Sequence, residues 1–397
     1  MYSRNPRAHC RIRSMDMDAT ELNRGWYWAS HLLTIRMDRL NCLLEELGGP
    51  YGLMELTDRE LDSLKGLTER EKKALKLHRD NREMILESYE ELEKMGIRFV
   101  GREMDGYPAR LKEIPDSPAG LFVRGRLPDN SRPSVAIVGA RACSAYGRDC
   151  ASYFGRALSR AGIQVISGMA GGIDSTAQNA AVEHAGSSFA VLGGGVDLCY
   201  PKECCELYEN LIQNGGVLSE MLPKTSPRGW MFVRRNRIIS GISDAVIVIE
   251  ARERSGSLIT ANDAAEQGRL VYAVPGRIDS ALSFGCHALI RNGAILLQKP
   301  QDLLEDLRMT LEAGIAEEFS CGTVPLEGRE EDVYSVLSRE PSHMETLLEQ
   351  TGYPAGTLFQ LLLQLEIKGY ACQNPRNYYR RTTLVPPGGH VKSALTL

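Results

Sequence analysis

Short apolar runs alternate with longer amphipathic stretches in the middle of the chain, between Val135 and Val274. The stretches between the runs have the length and periodicity of helices. Runs that are apolar on both faces are typical of parallel strands covered on both sides. This alternation with short connections predicts an α/β fold, a Rossmann-like, doubly wound, mostly parallel sheet. The predicted strands are Val135–Val138, Gln164–Ser167, Phe189–Leu192, Ala245–Glu250 and Leu270–Val274, and the predicted helices are Tyr146–Ala161, Asp174–Ala185, Cys204–Asn214, Asn236–Ile242 and Leu258–Gln267.

Helical periodicity also fills the region before this domain, from Leu22 to Met95, where apolar residues recur at spacings of three and four. Thr68 and Glu71 have the spacing of an N-terminal capping box. Short helices joined by glycine-containing turns predict a helix-hairpin-helix or SAM-like module. Such a module either holds a DNA backbone through turn N–H groups or serves as a packing and interaction domain. The connector over 97–126 predicts short strands and irregular segments leading into the sheet.

A winged helix is predicted near the end of the chain. Its elements are helices Glu330–Ser338, Ser342–Thr351 and Ala355–Lys368, the second opened by a capping box at Ser342 and Glu345 and the third ended by Gly369, followed by a hairpin of Tyr370–Gln373 and Tyr378–Arg381. The third helix is rich in leucine and carries Lys368 as its cation, whereas reading of base edges needs Arg, Lys, Asn or Gln. We therefore expect a protein-docking module, and Arg376, Arg380 and Arg381 on the wing leave DNA binding open as the alternative.

These patterns divide the chain into segments with the following predicted boundaries: 1–20, a disordered tail or an upstream start; 21–96, the helical module; 97–308, the connector and the Rossmann-like DNA-binding domain; 309–326, a linker; 327–385, the winged helix; and 386–397, a disordered tail. The arginine-rich first residues lack the apolar region of a secretory signal. We expect either a disordered tail or an upstream start codon, with the true start at Met15 or Met17. A targeting peptide or a basic DNA-binding arm is the alternative.

Composition narrows the possible partners. The formal net charge of −4 argues against coating nucleic acid over the whole surface, so a polyanion has to meet a local basic patch. No apolar run reaches the roughly 18 residues needed to cross a bilayer. The ten cysteines show no paired CxxC spacing, which predicts reduced thiols in a cytoplasmic protein and no structural zinc site.

Glycine-rich turns after the predicted strands predict phosphate binding. Glycine lets backbone N–H groups approach a ligand, and a helix N-terminus behind the turn favours negative charge. The turns are Gly139-Ala140-Arg141, Ser167–Asp174, Gly193-Gly194-Gly195 and Arg254–Ser257. They lack the G-x-G-x-x-G of dinucleotide-binding folds and the G-x-x-x-x-G-K-[ST] of P-loops. No catalytic motif is recognised, and Asp174 is interpreted as a helix N-cap or turn residue, so we predict no catalytic residue, cofactor or metal.

Arginine and aromatic residues are interleaved over 227–237, Pro-Arg-Gly-Trp-Met-Phe-Val-Arg-Arg-Asn-Arg. Arginine binds phosphate with two parallel hydrogen bonds, and an aromatic face stacks on an unpaired base. The alternative is that Trp230 and Phe232 are core residues and the arginines form salt bridges. Because this segment accompanies glycine-rich turns that are predicted to bind phosphate, the pattern favours binding of single-stranded nucleic acid.

Four segments resemble the DNA-processing protein A (DprA/Smf) family. They are Val-Ala-Ile-Val-Gly-Ala-Arg at 135–141, Ser-Gly-Met-Ala-Gly-Gly-Ile-Asp at 167–174, Arg-Asn-Arg-Ile-Ile-Ser-Gly-Ile-Ser-Asp at 235–244 and Ser-Gly-Ser-Leu-Ile-Thr at 255–260. The resemblance implies a non-enzymatic, cytoplasmic protein that binds and protects single-stranded DNA. It also implies loading of the RecA recombinase onto incoming strands during natural transformation, and a homodimer formed through the Rossmann-like domain.

The predicted DNA and phosphate site combines this resemblance with the turn chemistry. By motif match, the resemblance implies that Arg141, Gly168, Arg235, Asn236 and Arg237 line a phosphate pocket, with Phe232 stacking on a base and Arg228 nearby. The turns add N–H donors around Gly171 and Gly172 and around Ser255, Gly256 and Ser257. Two other functions remain as alternatives: a nucleotide phosphoribohydrolase of the lysine-decarboxylase-like type, whose Pro-Gly-Gly-x-Gly-Thr-x-x-Glu motif is not found, and a duplex-binding transcription regulator.

Overall fold

The computed structural model describes residues 18–183, 187–307, 326–338, 340–368, 370–373 and 375–382. The predicted linker and both predicted tails fall almost entirely outside these ranges. The chain forms two compact units, one holding the residues up to Cys143 together with Phe154–Gln298 and the other Ser144–Tyr153 together with the residues from Lys299 onward.

From residue 18, where the described part of the chain begins, six helices precede the sheet in the first unit: α1 (Ala19–Ser30), α2 (Met37–Glu46), α3 (Pro50–Met54), α4 (Asp58–Ser63), α5 (Glu69–Asp80) and α6 (Arg82–Lys94). The capping box at Thr68 and Glu71 is confirmed, since Thr68 caps α5 and the Glu71 carboxylate accepts from the Thr68 N–H at 2.8 Å. These helices share one apolar core with the edge of the sheet, to which Trp26 and Trp28 contribute.

The sheet has nine strands in the order β1-β2-β6-β5-β4-β3-β7-β8-β9. The strands are β1 (Arg98–Gly101), β2 (Gly120–Gly125), β3 (Ser134–Gly139), β4 (Gln164–Ser167), β5 (Ser188–Val191), β6 (Gly216–Ser219), β7 (Ala245–Ile249), β8 (Leu270–Ala273) and β9 (Ile295–Leu296). The pairs β1–β2 and β2–β6 are antiparallel and all other pairs are parallel. The mostly parallel sheet and the two short connector strands were predicted correctly.

The strand β6 was not predicted because it is short and its first residue, Gly216, follows another glycine. The sheet requires those glycines: a Cβ on Gly215 would lie 1.8 Å from the Ser188 carbonyl oxygen, and one on Gly216 would lie 1.9 Å from that of Arg126. Glycine lowers strand propensity, so the pattern that marks the other strands is absent here.

The short helix α7 (Ala109–Lys112) lies between β1 and β2. Helices also follow most of the parallel strands: α8 (Ala145–Arg160), α9 (Ile173–Val182), α10 (Cys205–Asn214), α11 (Gly229–Ile242), α12 (Gly256–Glu266) and α13 (Phe284–Arg291). Along β5, Phe189 and Val191 belong to one apolar core and Ala190 belongs to the other. Successive residues of a strand face opposite sides of the sheet. The sheet is therefore covered on both faces, as a doubly wound fold requires.

The helix α11 begins at Gly229, seven residues before the predicted start at Asn236. The predicted loop over 229–235 therefore forms its first two turns. This difference decides how Phe232 and the nearby arginines are presented, because residues three and four apart share one helix face.

The second unit contains α14 (Pro300–Asp306), α15 (Gly328–Val336), α16 (Met344–Thr351) and α17 (Ala355–Ile367), with a small sheet of β10 (Ser342–His343), β12 (Tyr378–Arg381) and β11 (Ala371–Gln373) in that order. The three helices and the hairpin confirm the winged helix. The predicted cap at Ser342 is wrong. Ser342 pairs with Tyr379 in the sheet, and His343 caps α16 instead. Gly369 lies outside the residues described.

Candidate nucleic-acid interface

A cleft of about 680 Å³ opens at the carboxyl ends of β3 and β7, where the strand order reverses direction. In open α/β sheets this switch point is the common place for ligands. The wall is formed by the turn after β3, the loop after β7, the start of α12 and one face of α11. Polar, charged and aromatic side chains line the cleft: Arg141, Asp174, Tyr200, Phe232, Arg235, Asn236, Arg252, Arg254, Ser255 and Ser257.

The turn after β3 brings Arg141 to the mouth of the cleft. Gly139 permits this turn, because a Cβ there would lie 1.9 Å from the Ile249 carbonyl oxygen. Gly172 packs under the same turn with a φ of 86°, where a Cβ would lie 2.3 Å from the Arg141 carbonyl oxygen. The Arg141 side chain is exposed, and its guanidinium carbon stands 5.4 Å from the centre of the Phe232 ring.

In the turn after β4, the first backbone N–H groups donate to side chains of the protein itself and are not available to a ligand. The N–H of Gly168 donates to the Asp174 carboxylate at 3.1 Å, and the N–H of Met169 donates to the Gln178 side chain at 3.0 Å. Burial raises the pKa of Asp174, and the neighbouring Arg235 together with the N–H groups of Gly168 and Ala170 opposes that rise. The chain's own carboxylate thus occupies the anion position that the glycine pattern predicts for a phosphate.

Arg235 lies at the floor of the cleft, and its guanidinium donates to the Val191 carbonyl oxygen. The position of the Arg235 guanidinium requires glycine at residue 168, because a Cβ there would lie 2.1 Å from Arg235 Nη1. Burial, opposed by the Asp174 charge and reinforced by the Arg141 charge, lowers the pKa of Arg235 to about 10. Arg235 therefore keeps its positive charge at neutral pH.

Aromatic rings form one side of the cleft. Phe232 projects from the first turns of α11, and its ring centre lies 5.7 Å from that of Tyr200 with the planes inclined at 32°. Gly193 makes room for Phe232, because a Cβ there would lie 2.8 Å from the ring. Tyr200 is half exposed, at 49%. A pair of aromatic rings beside arginines suits a planar, negatively charged ligand.

The N-terminus of α12 faces the opposite side. Ser255 caps this helix, and its hydroxyl lies 2.7 Å from that of Ser257. Asn236 ties α11 to the helix start by donating to the Gly256 carbonyl oxygen at 3.3 Å. Arg252 and Arg254 are exposed in the loop just before the cap. A helix N-terminus beside two cations attracts anions.

The cleft brings together Arg141, Phe232, Arg235, Asn236, Ser255, Gly256 and Ser257. Gly168, Gly171 and Gly172 belong to the turn behind the wall. Arg228 is exposed and does not line the cleft, although Pro227 and Gly229 on either side do. Tyr200, Arg252 and Arg254 also line the cleft, although they were not among the predicted site residues. The arginines could have been found, because they flank the turn after β7.

Arg237 lies apart from these residues. Its Nη2 donates to the Glu220 carboxylate at 2.6 Å, and its Nε lies 3.0 Å from an Asp116 carboxylate oxygen. Arg234 donates to the same Glu220 at 2.9 Å. Two paired carboxylates compensate the Arg237 charge inside the protein, so we remove it from the predicted phosphate site. Arg237 follows Arg235 by two positions on α11 and therefore faces another direction.

Asp263 lines a second cleft beside Arg237 and is expected to make the stability of the fold depend on pH. Burial and the charges of Asp116 and Glu266 raise the pKa of Asp263 to about 6. A folded-state pKa above the unfolded value gives stability that is present at acidic pH and lost as the pH rises through about 6. We expect Asp263→Asn to raise Tm at pH 7.5 and to leave it nearly unchanged at pH 4.5. An equal Tm gain at both values in thermal scans would contradict this.

Comparison with known proteins decides the family. Residues 98–308 match the family described as DNA recombination-mediator protein A, which is more than half of the chain. The chain belongs to the DprA/Smf family. Residues 322–375 match the DprA winged helix domain, which agrees with the fold of the second unit.

Individual members resemble the chain over most of its length. Protein Smf of Escherichia coli (strain K12) is 36% identical over 294 residues, which is 73% of this chain and 79% of the relative. The DNA processing protein DprA of Streptococcus pneumoniae (strain ATCC BAA-255 / R6) is 44% identical over 202 residues, or 51% of this chain and 71% of the relative. The X-ray structure of DprA from Streptococcus pneumoniae matches with a TM-score of 0.63 and 33% identity, covering 72% of this chain and 97% of that one.

The winged helix presents no cationic reading surface on α17. The exposed face of this helix carries Phe359, Leu363 and Ile367, and no Lys or Arg occurs in Ala355–Ile367. The following Lys368 donates to the Glu330 carboxylate at 2.6 Å. The apolar part of this face is typical of protein docking. Gln360 and Gln364 are exposed on the same helix and their amides can read base edges, so DNA binding stays the alternative. No helix in the described part of the chain is long and apolar enough to cross a membrane.

Proposed function

We propose that this DprA/Smf protein binds single-stranded DNA in the cleft between α11 and α12. The observation that carries the proposal is the pairing of an aromatic platform with uncompensated arginines. Arg141, Arg252 and Arg254 have no carboxylate within ion-pair distance in the ranges that the structure describes. Their guanidinium groups and the start of α12 receive phosphates, while Phe232 and Tyr200 stack on bases.

Access favours an unpaired strand over a duplex. The Phe232 ring is partly buried and has Arg141 and Tyr200 against it, so a base has to leave its stack to reach the ring. A duplex keeps its bases stacked and presents only their edges, and extruding one costs a few kcal/mol. In a single strand the free-energy cost of unstacking a base is much smaller, and every base has a face that can stack on the ring.

The chemistry of the cleft supports binding without catalysis. The acidic residue in its wall is Asp174, whose carboxylate accepts backbone N–H groups and faces Arg235. A general acid or base has to reach the proton that it transfers, and a carboxylate held by its own turn does not. A phosphoribohydrolase is therefore not favoured. We infer that the protein is not an enzyme.

Delivery of DNA to a recombinase is the further part of this proposal. The matched family carries the description of a recombination mediator. We infer that the protein protects incoming strands and loads RecA recombinase on them during natural transformation, and that it acts as a homodimer. One cleft covers only a few nucleotides, so two clefts on one strand would raise avidity without new contacts.

Fluorescence anisotropy with a labelled oligo-dT tests the binding proposal. We expect tight binding that weakens steeply with salt and that resists competition by duplex DNA and by mononucleotides. Displacement by a mononucleotide at low concentration would instead support a nucleotide-binding enzyme. Preference for duplex DNA would support the transcription-regulator alternative.

Phe232→Ala tests the stacking contact. We expect a loss of about 1–3 kcal/mol in oligo-dT binding, because base–aromatic stacking contributes about that much per base. Phe232→Tyr should keep most of the affinity, since it keeps the ring. Phe359→Ala, which removes a more exposed ring from the winged helix that does not line the cleft, is the control. Similar binding by Phe232→Ala and Phe359→Ala would remove Phe232 from the site.

A further inference from the structure

Two free thiols meet beside the aromatic wall of the cleft. The Sγ atoms of Cys199 and Cys205 lie 2.9 Å apart, within an ångström of the S–S bond length of about 2.05 Å. Cys205 opens α10, and Cys199 lies six positions earlier, before a short 3₁₀ turn over Lys202–Cys204. The fold thus brings both sulfur atoms to one point across a short loop, and neither takes part in the proposed DNA contacts.

We propose that Cys199 and Cys205 form a reversible disulfide when the protein meets a peroxide or a small-molecule disulfide. With peroxide, the Cys205 thiolate attacks one oxygen, the O–O bond breaks, and the departing hydroxide takes a proton to become water. The resulting sulfenic acid is attacked by the Cys199 sulfur, the S–S bond forms, and the hydroxide released accepts the Cys199 proton. Two thiols are oxidised and one peroxide is reduced to two waters.

The environments of the two thiols set the order of these steps. Cys205 is exposed and donates its S–H towards Cys199, whereas Cys199 is partly buried and donates to the Pro201 carbonyl oxygen at 3.5 Å. Burial and the Cys205 thiol raise the pKa of Cys199 to about 12. The thiolate is the reactive form, so Cys205 meets the oxidant first and Cys199 resolves the intermediate.

Cys204 serves as a control for the proposed disulfide, because it is a neighbouring cysteine whose thiol is not accessible in the same way. It precedes Cys205 directly, but its side chain is buried in the core that contains Leu207 and Leu211. Adjacent residues at a helix start point in different directions, so proximity along the chain does not give Cys204 the same access.

A disulfide here would act on the DNA cleft through Tyr200, a consequence that rests on the proposed function. Tyr200 lies inside the loop that the bond would close, and its ring packs on Phe232. The sulfur atoms are already close in the conformation that places the rings together. Oxidation therefore holds Tyr200 in its stacking position and reduces the ordering cost of binding a base.

Thiol mapping tests the disulfide directly. The full chain is equilibrated in glutathione buffers from fully reduced to fully oxidised, its thiols are alkylated, and peptides are analysed by mass spectrometry without reduction. We expect a peptide pair linked through Cys199 and Cys205 in wild type and in Cys204→Ser, and none in Cys199→Ser. Unchanged alkylation of both cysteines in the oxidised wild type would overturn the proposal. So would a stable glutathione adduct on Cys205 without the internal bond.

Oligo-dT binding by oxidised and reduced protein tests the coupling to the cleft. We expect the oxidised wild type to bind oligo-dT about three- to tenfold more tightly, because the disulfide already orders the loop that carries Tyr200 and binding loses less conformational entropy. Cys199→Ser should show no redox response, and Cys204→Ser should respond like wild type. Equal affinities despite a mapped disulfide would refute the coupling. Absence of DNA binding in both states would refute the proposed function and leave the mapping result standing.

Discussion

The variant Arg141→Ala/Arg252→Ala/Arg254→Ala is expected to bind oligo-dT at least about a hundredfold more weakly than wild type, since hydrogen bonds to charged groups contribute about 1.5–3 kcal/mol each. The slope of log affinity against log salt should fall by about 2, since each phosphate contact with a single strand contributes about 0.7. Anisotropy titrations at several salt concentrations measure both quantities. The three side chains are exposed at the cleft, so Tm should stay close to that of wild type.

The matched control replaces exposed arginines that do not line the cleft, as Arg59→Ala/Arg82→Ala/Arg291→Ala. It removes the same net charge and should leave the affinity within a few fold of wild type. Equal losses in the two triple variants would show that binding follows overall charge and would contradict the cleft assignment. An unchanged salt slope in the first variant would contradict it as well.

Glu220→Gln is expected to lower the free energy of unfolding by about 3–5 kcal/mol. Breaking a buried ion pair leaves the charges of its partners uncompensated. The Glu220 carboxylate receives hydrogen bonds from Arg234 and Arg237, and its side chain is only 4% exposed. Denaturant unfolding at pH 7 measures the change. Glu206→Gln, on the exposed side of α10, should change stability by no more than about 0.5 kcal/mol.

The pH dependence of this loss identifies its cause. Burial by itself would raise the pKa of Glu220, but Arg237 and Arg234 overcome burial and hold that pKa below its ordinary value. The stabilisation is therefore complete above the unfolded-state pKa of about 4.3 and is lost as the pH falls through the lower folded-state pKa. The difference between wild type and Glu220→Gln should shrink in acid. A difference independent of pH would point to altered packing instead.

The parallel strands β3, β4, β5, β7 and β8 and the winged helix could be predicted from the sequence because they follow from local rules. Buried strands must be apolar on both faces, and the spacing of leucines determines which helix faces are covered. The short strand β6 and the start of α11 could not be predicted in this way. Glycines selected by close backbone contacts hide the strand, and aromatic and arginine residues in the first turns of α11 look like a loop.

The sequence by itself determined the fold class, the family motifs and the general position of an anion-binding cleft, because strand ends and glycine turns are properties of neighbouring residues. Only the tertiary structure decided which charges remain available. Arg235 and Arg237 are two positions apart on one helix, yet one reaches the cleft floor and the other is held by Glu220 and Asp116. Whether a charge is compensated depends on carboxylates far away in the chain, and their approach is fixed by packing of the helices on the sheet.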